Sequence, residues 1–364
     1  MPTTDPGPRP LPAPPRPVVI GHRGACGYLP EHTLASYELA ARQGADFLEP
    51  DLVATRDGVL VARHENEIST TTDVADHPEL ADRRTTRTVD GVEVTGWFTE
   101  DLTLAELRTL RAVERLPQLR AANVSHDGVH PVPTFAEILD LRARLGRELG
   151  REIGVYPETK HPTHFRERGL ALEEPLLDAL RGAGLDSEEA PVFVQSFELS
   201  NLVHLRRVLG SRARQVLLVT AEDETPWDLA HPAGPWPDAP GLCPAGRTYG
   251  DVLSPAGLAA LRGVVEGLGP DKEMVLPWSP DGTLGPATRL VADAHAAGMV
   301  VHPWTFRAEN AFLPPELRAG GDPAGHGHLR TELTAYLEAG VDGVFSDHPD
   351  LAVAARDALH PPTP

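Results

Sequence analysis

The chain has 364 residues and a formal net charge of −20, from 53 acidic and 33 basic residues. So negative a chain repels phosphate backbones and anionic bilayers, which argues against a nucleic-acid partner and against stable membrane association. A hydrophobic fraction of 41% is enough for a packed core, and the length allows one large domain or two ordinary ones.

The N-terminal segment, residues 1–17, contains eight prolines and no apolar stretch of the kind found in signal peptides. We therefore expect a disordered, polyproline-like arm and a cytoplasmic protein, or a secreted one if the sequence starts after a removed signal. Two cysteines, Cys26 and Cys243, cannot form a disulfide framework, and a reduced compartment is the simpler interpretation.

Strands and helices alternate along the rest of the chain. A strand is predicted at Val18–Gly24, a helix at Glu31–Gln43, and two strands within FLEPDLVAT and VLVARHE. Later strands are predicted within IGVYPETK, VFVQSF, RQVLLVT, VVEGLG, MVVHPWTF and DGVFSDHP. Helices are predicted between most of them, at residues 170–180, 200–209, 286–297 and 329–339.

This alternation predicts a parallel sheet covered by helices. About eight strand–helix units favour an α/β fold of the (β/α)8 TIM-barrel class, formed as a single domain over residues 18–358. A doubly wound open sheet is the alternative, but the first strand lacks the G-x-G-x-x-G turn of dinucleotide-binding folds. Residues 66–151 are predicted to be an insertion with short helices at 104–114 and 134–145, and residues 221–251 a long irregular loop.

Polar residues cluster where these strands end, which in a barrel is the reactive face. His22 and Arg23 end the first strand, and His64 and Glu65 end the hairpin strand. Because residues i and i+2 of a strand share a face, Glu49 projects with Asp51, and Glu158 with Lys160.

Three carboxylates, Glu49, Asp51 and Glu158, make an all-oxygen site that suits one divalent cation, Ca²⁺ or Mg²⁺. Two histidines could share base and acid work, and Arg23 and Lys160 could contact a phosphoryl group. Taken alone, the Glu49–Asp51 pair is more often a solvated hairpin face and the His22–Arg23 pair more often an ordinary loop, and the third pair could be a surface ion pair. Together they indicate metal-assisted phosphoryl chemistry. Lys160 stands out because Lys272 is the only other lysine beside 31 arginines.

The stretch from GHRGACGYLPEHT to VLVARHE resembles the signature of the glycerophosphodiester phosphodiesterase family, in its bacterial, insertion-bearing branch. The resemblance continues through TTDVADH, VYPETKHPT, VQSF, GLGPDK, VVHPWTFR and GVFSDHPD. It implies a TIM barrel that hydrolyses glycerophosphodiesters to sn-glycerol 3-phosphate and an alcohol.

Carried over residue by residue, the resemblance places the family's metal ligands at Glu49, Asp51 and Glu158, and its catalytic histidines at His22 and His64. It places the substrate contacts at Arg23, Lys160 and Trp304, with Trp304 walling the glycerol side and Phe197 at the rim or in the core. The expected route passes through a cyclic phosphate, with His22 as base and His64 as acid. The alternatives are a phospholipase D-like enzyme acting on intact lipids and a non-catalytic binder of glycerophosphodiesters.

Three features depart from the family pattern or are unusual within it. Glu65 stands where the family usually has aspartate, Cys26 stands where a small residue is usual, and Pro50 separates two predicted metal ligands. We expect the longer Glu65 side chain to change how a carboxylate orients His64. Cys26 is expected to be a small packed thiol, and Pro50 to mark a bulge that aims Asp51. The alcohol group, the choice between Ca²⁺ and Mg²⁺ and the oligomeric state stay open at this point.

Overall fold

The computed structural model describes residues 16–231, 236 and 246–361. Cys243, most of the predicted arm at 1–17 and the middle of the predicted loop at 221–251 lie outside these residues. The described ranges contain thirteen strands: β1 Val18–His22, β2 Phe47–Glu49, β3 Asp51–Ala54, β4 Leu60–Ala62, β5 Thr85–Val89, β6 Val92–Gly96, β7 Gly154–Val155, β8 Glu158–Thr159, β9 Phe193–Ser196, β10 Arg214–Val219, β11 Gly267–Pro270, β12 Val300–Val301 and β13 Gly343–Ser346.

The same ranges contain twelve α-helices: α1 Leu34–Arg42, α2 Leu104–Leu107, α3 Phe135–Leu149, α4 Pro162–Glu167, α5 Glu173–Gly182, α6 Leu199–Val203, α7 Trp227–Ala230, α8 Tyr249–Leu253, α9 Pro255–Leu261, α10 Leu290–Ala296, α11 Leu329–Glu338 and α12 Pro349–Leu359. A π-helical turn, His204–Val208, continues α6. Among these described helices, none combines the length and the apolar character needed to cross a bilayer.

The fold is a (β/α)8 barrel, which confirms the fold class predicted from the sequence. Its eight positions are β1, β2 with β3, β7 with β8, β9, β10, β11, β12 and β13, joined in that order by parallel pairing. A bridge between Phe306 and Ser346 joins the chain after β12 to β13, and β13 pairs with β1. The ring therefore places β1 beside the last strand of the chain.

Prolines divide two of the barrel strands. Pro50 separates β2 from β3, and Pro157 separates β7 from β8, because a proline cannot donate to a sheet ladder. The carbonyl oxygens of both prolines still accept hydrogen bonds at 2.9 Å, from the backbone N–H groups of Glu158 and Gln195. The breaks occur where the acidic residues lie, so β2 pairs with β1 and β7 while β3 pairs with β4 and β8.

The barrel interior is filled below this level by a cluster rich in aromatic side chains. Seven of the eight barrel positions each contribute one buried residue: Ile20, Phe47, Tyr156, Phe193, Val216, Val300 and Phe345. Because side chains fill the barrel interior, a ligand site can form only at an end of the barrel.

Helix α1 begins three residues later than the sequence pattern predicts. Its first turn is capped by Thr33, whose side chain accepts a hydrogen bond from the backbone N–H of Ser36. His32 has φ of 54°, a left-handed conformation that cannot continue a helix. Glu31 is therefore excluded from the helix and left free for other contacts.

The other predicted helices form with shifted ends. The stretches at 170–180, 286–297 and 329–339 correspond to α5, α10 and α11, and the stretch at 200–209 to α6 with its π-helical turn. Such shifts of a few residues are usual at helix ends.

The predicted insertion at 66–151 contains α3 where a helix is expected at 134–145, whereas the helix predicted at 104–114 forms only over its first four residues, as α2. It also contains a hairpin of β5 and β6 that the sequence reasoning missed. Asp90 and Gly91 form its turn with φ of 45° and 78°, the conformation that an Asp-Gly hairpin turn requires. Helix α3 packs on α1 outside the barrel.

Candidate active site

A cavity of about 280 Å³ lies at the carboxyl ends of the barrel strands. Its lining consists of His22, Arg23, Glu49, His64, Glu158, Lys160, Gln195, Phe197, Leu218, Trp304, Thr305, Arg307 and Phe345. Seven of the eight site residues predicted from the sequence are in this lining. The eighth, Asp51, is 1% exposed and clusters with two of them. The structure thus brings all eight together, and their individual roles stay predictions.

Glu49, Asp51 and Glu158 form a cluster of buried carboxylates. One oxygen of each lies within 4.8 Å of the others. Burial raises the pKa of Glu49 well above its usual range, and the charges of Asp51 and Glu158 add to this. Burial also raises the pKa of Glu158 to about 8 against the opposing effect of Lys160. Asp51 behaves differently, because Lys160 and His32 overcome burial and lower its pKa well below the usual range. The surroundings therefore stabilise one negative charge but not three, and a bound cation would favour the ionised form of all three carboxyl groups.

Gln195 extends this cluster with a neutral oxygen. Its Nε2 donates a hydrogen bond of 3.1 Å to Oε1 of Glu49, and its buried Oε1 has no hydrogen-bond partner among the described residues. The three carboxylates form an all-oxygen donor set, which is what hard divalent cations prefer, and the unsatisfied amide oxygen of Gln195 belongs to a side chain in contact with one of them. These residues fit Ca²⁺ or Mg²⁺.

A second group with the spacing of metal ligands consists of His22, Cys26 and Asp347. Arg120 and Arg307 already pair with Asp347, so its charge is compensated. Burial raises the pKa of the Cys26 thiol well above its usual range, which keeps it neutral. Cys26 is a buried free cysteine, as expected of a packed thiol. This group is better explained as a hydrogen-bond network than as a metal site.

His22 is oriented by a carboxylate from the far end of the chain. Its Nδ1 lies 2.6 Å from Oδ1 of Asp347, so its other ring nitrogen, Nε2, is left for a ligand. Burial and the neighbouring Arg23 lower the pKa of His22 to about 4, although Asp347 opposes the shift. A neutral imidazole held in one orientation can act as a general base.

His64 is placed between a carboxylate and a cation. Its Nδ1 lies 2.6 Å from Oε1 of Glu65, and its Nε2 lies 3.2 Å from Nζ of Lys160. Burial, followed by the charges of Arg23 and Lys160, lowers the pKa of His64 well below its usual range. An anion bound at the Nε2 side would oppose this lowering.

The two predicted phosphate contacts differ in how far their charges are already paired. Arg23 has φ of 57°, which turns the chain at the end of β1, and it pairs with Glu31 at 2.9 Å and Asp51 at 3.3 Å. Lys160 Nζ lies 2.9 Å from Glu158 Oε1. The other lysine, Lys272, instead forms a 2.7 Å ion pair with Glu332 outside this cavity.

Aromatic side chains form one wall of the cavity. Phe197 and Trp304 meet edge to face with ring centroids 5.8 Å apart. The indole Nε1 of Trp304 donates to the carbonyl oxygen of Gly269 at 2.8 Å, which fixes the ring. Phe197 therefore belongs to the cavity wall, where the sequence left the rim and the core equally open.

The sequence reasoning assigned no role to Asp347, Gln195, Arg120 or Glu31. The first two lie in the stretches GVFSDHPD and VQSF, which the family resemblance includes, so a signal for them existed. The sequence held no signal for Arg120, because it is one of many arginines in a long insertion. Glu31 was placed in a helix, whereas it pairs with both Arg23 and Arg115.

Arg120 ties the insertion to the barrel, and its removal should destabilise the protein. Its guanidinium is buried against Glu309 at 2.6 Å and Asp347 at 2.5 Å, and it donates to the carbonyl oxygen of Cys26 at 2.9 Å. We expect Arg120→Met to lower the free energy of unfolding by about 3–5 kcal/mol, because two buried carboxylates lose a partner. Urea denaturation measures this loss.

The matched control is Arg144→Met. Arg144 also pairs with two carboxylates, Glu38 and Glu148, but its side chain is 43% exposed. We expect a much smaller loss there, because solvent screens an exposed ion pair. Equal losses for the two variants would contradict the structural role given to Arg120.

Comparison with known proteins gives the same family along most of the chain. The model of the glycerophosphoryl diester phosphodiesterase family matches residues 22–351. The chain is 33% identical to glycerophosphodiester phosphodiesterase GDPD6 of Arabidopsis thaliana, with 91% of this chain and 84% of that protein covered. It is 28% identical to a glycerophosphodiester phosphodiesterase of Haemophilus influenzae, with 92% and 88% covered.

Among solved structures, a phosphodiesterase of Oleispira antarctica, in complex with the product sn-glycerol-3-phosphate, shares the fold. Its TM-score is 0.58 at 20% sequence identity, over 94% of this chain and 97% of that one. At this identity the likeness concerns the barrel and its connections.

Proposed function

The chain belongs to the glycerophosphoryl diester phosphodiesterase family and is an enzyme of that class, and we propose that it converts glycerophosphodiesters to sn-glycerol 3-phosphate and an alcohol in a metal-dependent reaction. Support for the product comes from the Oleispira antarctica phosphodiesterase, whose structure contains sn-glycerol-3-phosphate. Support for the chemistry comes from the cavity, which combines an acidic cluster with two histidines and two cations.

Glu49, Asp51 and Glu158 would hold the cation, Ca²⁺ or Mg²⁺, with Gln195 beside them. When bound, the cation supplies positive charge that lowers the pKa of the glycerol 2-hydroxyl and offsets the phosphate charge. Arg23 and Lys160 line the same cavity and would donate hydrogen bonds to the phosphate oxygens. Trp304 would wall the glycerol moiety.

In the first step, Nε2 of His22 takes the proton of the glycerol 2-hydroxyl. That oxygen forms a bond to phosphorus, the bond from phosphorus to the alcohol oxygen breaks, and His64 gives a proton to the departing alcohol. In the second step, His64 takes a proton from water, and the water oxygen bonds to phosphorus. The ring bond to the 2-oxygen then breaks, and the proton on His22 returns to that oxygen.

One observation carries this proposal: two histidines line one cavity, and each has a carboxylate oxygen 2.6 Å from its Nδ1. Nε2 of His22 is then left for proton transfer, and Nε2 of His64 lies 3.2 Å from Nζ of Lys160 and would become available when Lys160 contacts a bound phosphate. This is the arrangement that paired base and acid catalysis needs. A non-catalytic binder would not need two oriented histidines. This favours turnover over the binding alternative.

The test uses metal-stripped full-length protein. Ca²⁺, Mg²⁺ and Mn²⁺ are titrated against sn-glycerophosphocholine, sn-glycerophosphoethanolamine and a diester without the 2-hydroxyl, with sn-glycerol 3-phosphate or the released alcohol detected. We expect activity only after metal addition and only on the first two. Ready cleavage of the third substrate would indicate direct attack by water, and activity on phosphatidylcholine micelles but not on soluble diesters would favour the phospholipase D-like alternative.

A further inference from the structure

A line of four side chains connects the insertion hairpin to the active site. Oδ2 of Asp90 lies 2.5 Å from Nδ1 of His161, and Nε2 of His161 lies 3.2 Å from Oε2 of Glu65. The other oxygen of Glu65, Oε1, lies 2.6 Å from Nδ1 of His64. The hairpin turn therefore reaches His64 through three consecutive polar contacts.

Glu65 lies at the centre of this line, between His64 and His161. The length of its side chain allows it to contact both. Its two carboxylate oxygens contact two different histidines, one on each side. The departure from aspartate noted in the sequence therefore coincides with a second histidine in reach. The contact between Glu65 and His64 is a close ion-pair distance without hydrogen-bond geometry, since Nδ1 of His64 has no hydrogen-bond partner among the described residues. Because His161 holds the other oxygen of Glu65, it keeps the carboxylate beside the His64 ring.

His161 is suited to fixing Glu65. It is the residue before α4 and follows Lys160 directly, and its φ of 47° is left-handed. Burial lowers its pKa, but hydrogen bonds and charge interactions with Asp90 and Glu65 outweigh burial and raise the pKa to about 9. Both of its ring nitrogens then carry a hydrogen, so His161 can donate to both carboxylates at once.

Asp90 is held in place by the turn that carries it. Gly91 follows with φ of 78°, and a Cβ at this glycine would lie 2.8 Å from the ring of Trp227. The turn is thus packed directly against α7, which begins at Trp227. Asp90 also lines a second cavity of about 200 Å³ with Lys160, His161, Phe197 and Trp227. The hairpin therefore forms part of the active-site surroundings.

We propose that Asp90 and His161 are positioning residues that act through Glu65 and hold the ring of His64 in the orientation from which Nε2 protonates the departing alcohol. This inference rests on the proposed function, which gives His64 the role of acid. It assigns a role to the insertion hairpin: the hairpin supplies the outermost member of the line.

The inference predicts a dependence on the leaving group. An alkyl alcohol leaves as a strongly basic alkoxide unless it is protonated, whereas p-nitrophenolate is stable without a proton. Weakening the orientation of His64 should therefore slow the first step with the alkyl ester and spare the first step with the nitrophenyl ester, whereas the second step, in which His64 takes a proton from water, is common to both. A general structural defect would slow both.

The experiment compares wild type, His161→Gln and Asp90→Asn on sn-glycerophosphocholine and on the p-nitrophenyl diester of sn-glycerol 3-phosphate. For both variants we expect kcat on the choline ester to fall by about 10–100-fold, the usual effect of removing an outer hydrogen-bond partner. On the nitrophenyl ester we expect the pre-steady-state release of p-nitrophenolate, which reports the first step alone, to slow by less than about 3-fold, since that leaving group needs no acid. The melting temperature of each variant shows whether it is folded.

The matched control is His295→Gln. His295 lies 2.8 Å from Asp342 in another histidine–carboxylate pair, which precedes β13 and so lies at the other end of the barrel. Both activities should stay within about 2-fold of wild type, because no acid–base group is disturbed. Equal losses of the first-step rate on both substrates, or no loss on the choline ester, would overturn the positioning role. If wild type cleaves neither substrate, the proposed function itself fails, which is a distinguishable result.

Discussion

Replacing His22 by alanine should lower kcat on sn-glycerophosphocholine by roughly 10²–10⁴-fold, the usual contribution of general acid–base catalysis. The imidazole of His22 lines the cavity, and its Nδ1 lies 2.6 Å from Oδ1 of Asp347, which holds the ring in place. Without it, nothing at that position takes the proton of the 2-hydroxyl. The nitrophenyl ester should lose activity to a similar degree, because a good leaving group does not replace the base.

Steady-state kinetics on both esters measures this loss, with circular dichroism as the check of folding. His126→Ala is the matched control, since His126 lies in the insertion away from the cavity lining. It should keep turnover within about 2-fold of wild type, because it touches no reacting group. Near-wild-type turnover of His22→Ala would refute the base assignment and with it the cyclic route.

Replacing Glu158 by glutamine should abolish metal-dependent activity and reduce the affinity for the cation. Loss of a residue that only hydrogen-bonds to a metal ligand usually costs roughly 10–100-fold in affinity, and we expect a larger loss here because Glu158 is itself a proposed ligand. Glu158 contributes one of the three clustered carboxylate oxygens. The amide keeps the size of the side chain and can still accept from Lys160 through its oxygen. The loss therefore reports charge and ligation. Calorimetric titration with Ca²⁺ and Mg²⁺ measures it.

The same substitution should make the metal-free protein less sensitive to alkaline pH. The folded-state pKa of Glu158 is about 8, above its ordinary value of 4.5. Between these values the folded state binds the proton that the unfolded state has lost, so stability falls as pH rises through this window. Glutamine cannot ionise and lacks this contribution. In EDTA, the melting temperature of wild type should fall further from pH 5 to pH 8.5 than that of Glu158→Gln.

Added Ca²⁺ or Mg²⁺ should restore the wild-type melting temperature at pH 8.5 and leave the variant nearly unchanged, since ligand binding stabilises only the form that binds. Glu38→Gln is the control, because Glu38 is a partly exposed carboxylate in a surface ion-pair network. It should respond to metal as wild type does. Equal metal-induced stabilisation of Glu158→Gln and wild type would contradict a cation site at this cluster.

Strand–helix alternation determined from the sequence alone that a parallel sheet is covered by helices, and it favoured the barrel over an open sheet, because apolar strands and amphipathic helices are local patterns. The same local reasoning brought the site residues together, since the carboxyl ends of parallel strands meet at one face. The acidic cluster followed from the i, i+2 spacing of Glu49 and Asp51 and from the pairing of β3 with β8. The hairpin of β5 and β6 was also readable in principle, from the Asp-Gly pair at its turn.

The partners of His22 and of His161 were decided only by the tertiary structure. Asp347 meets His22 across 325 positions of sequence, because β13 and β1 become neighbours only when the barrel closes. Asp90 meets His161 across 71 positions, through the packing of the insertion hairpin against the barrel. Local periodicity places residues on a strand end or a helix face. Local periodicity does not show which side chains from distant segments form a hydrogen bond, because those contacts depend on how the strands and helices pack together.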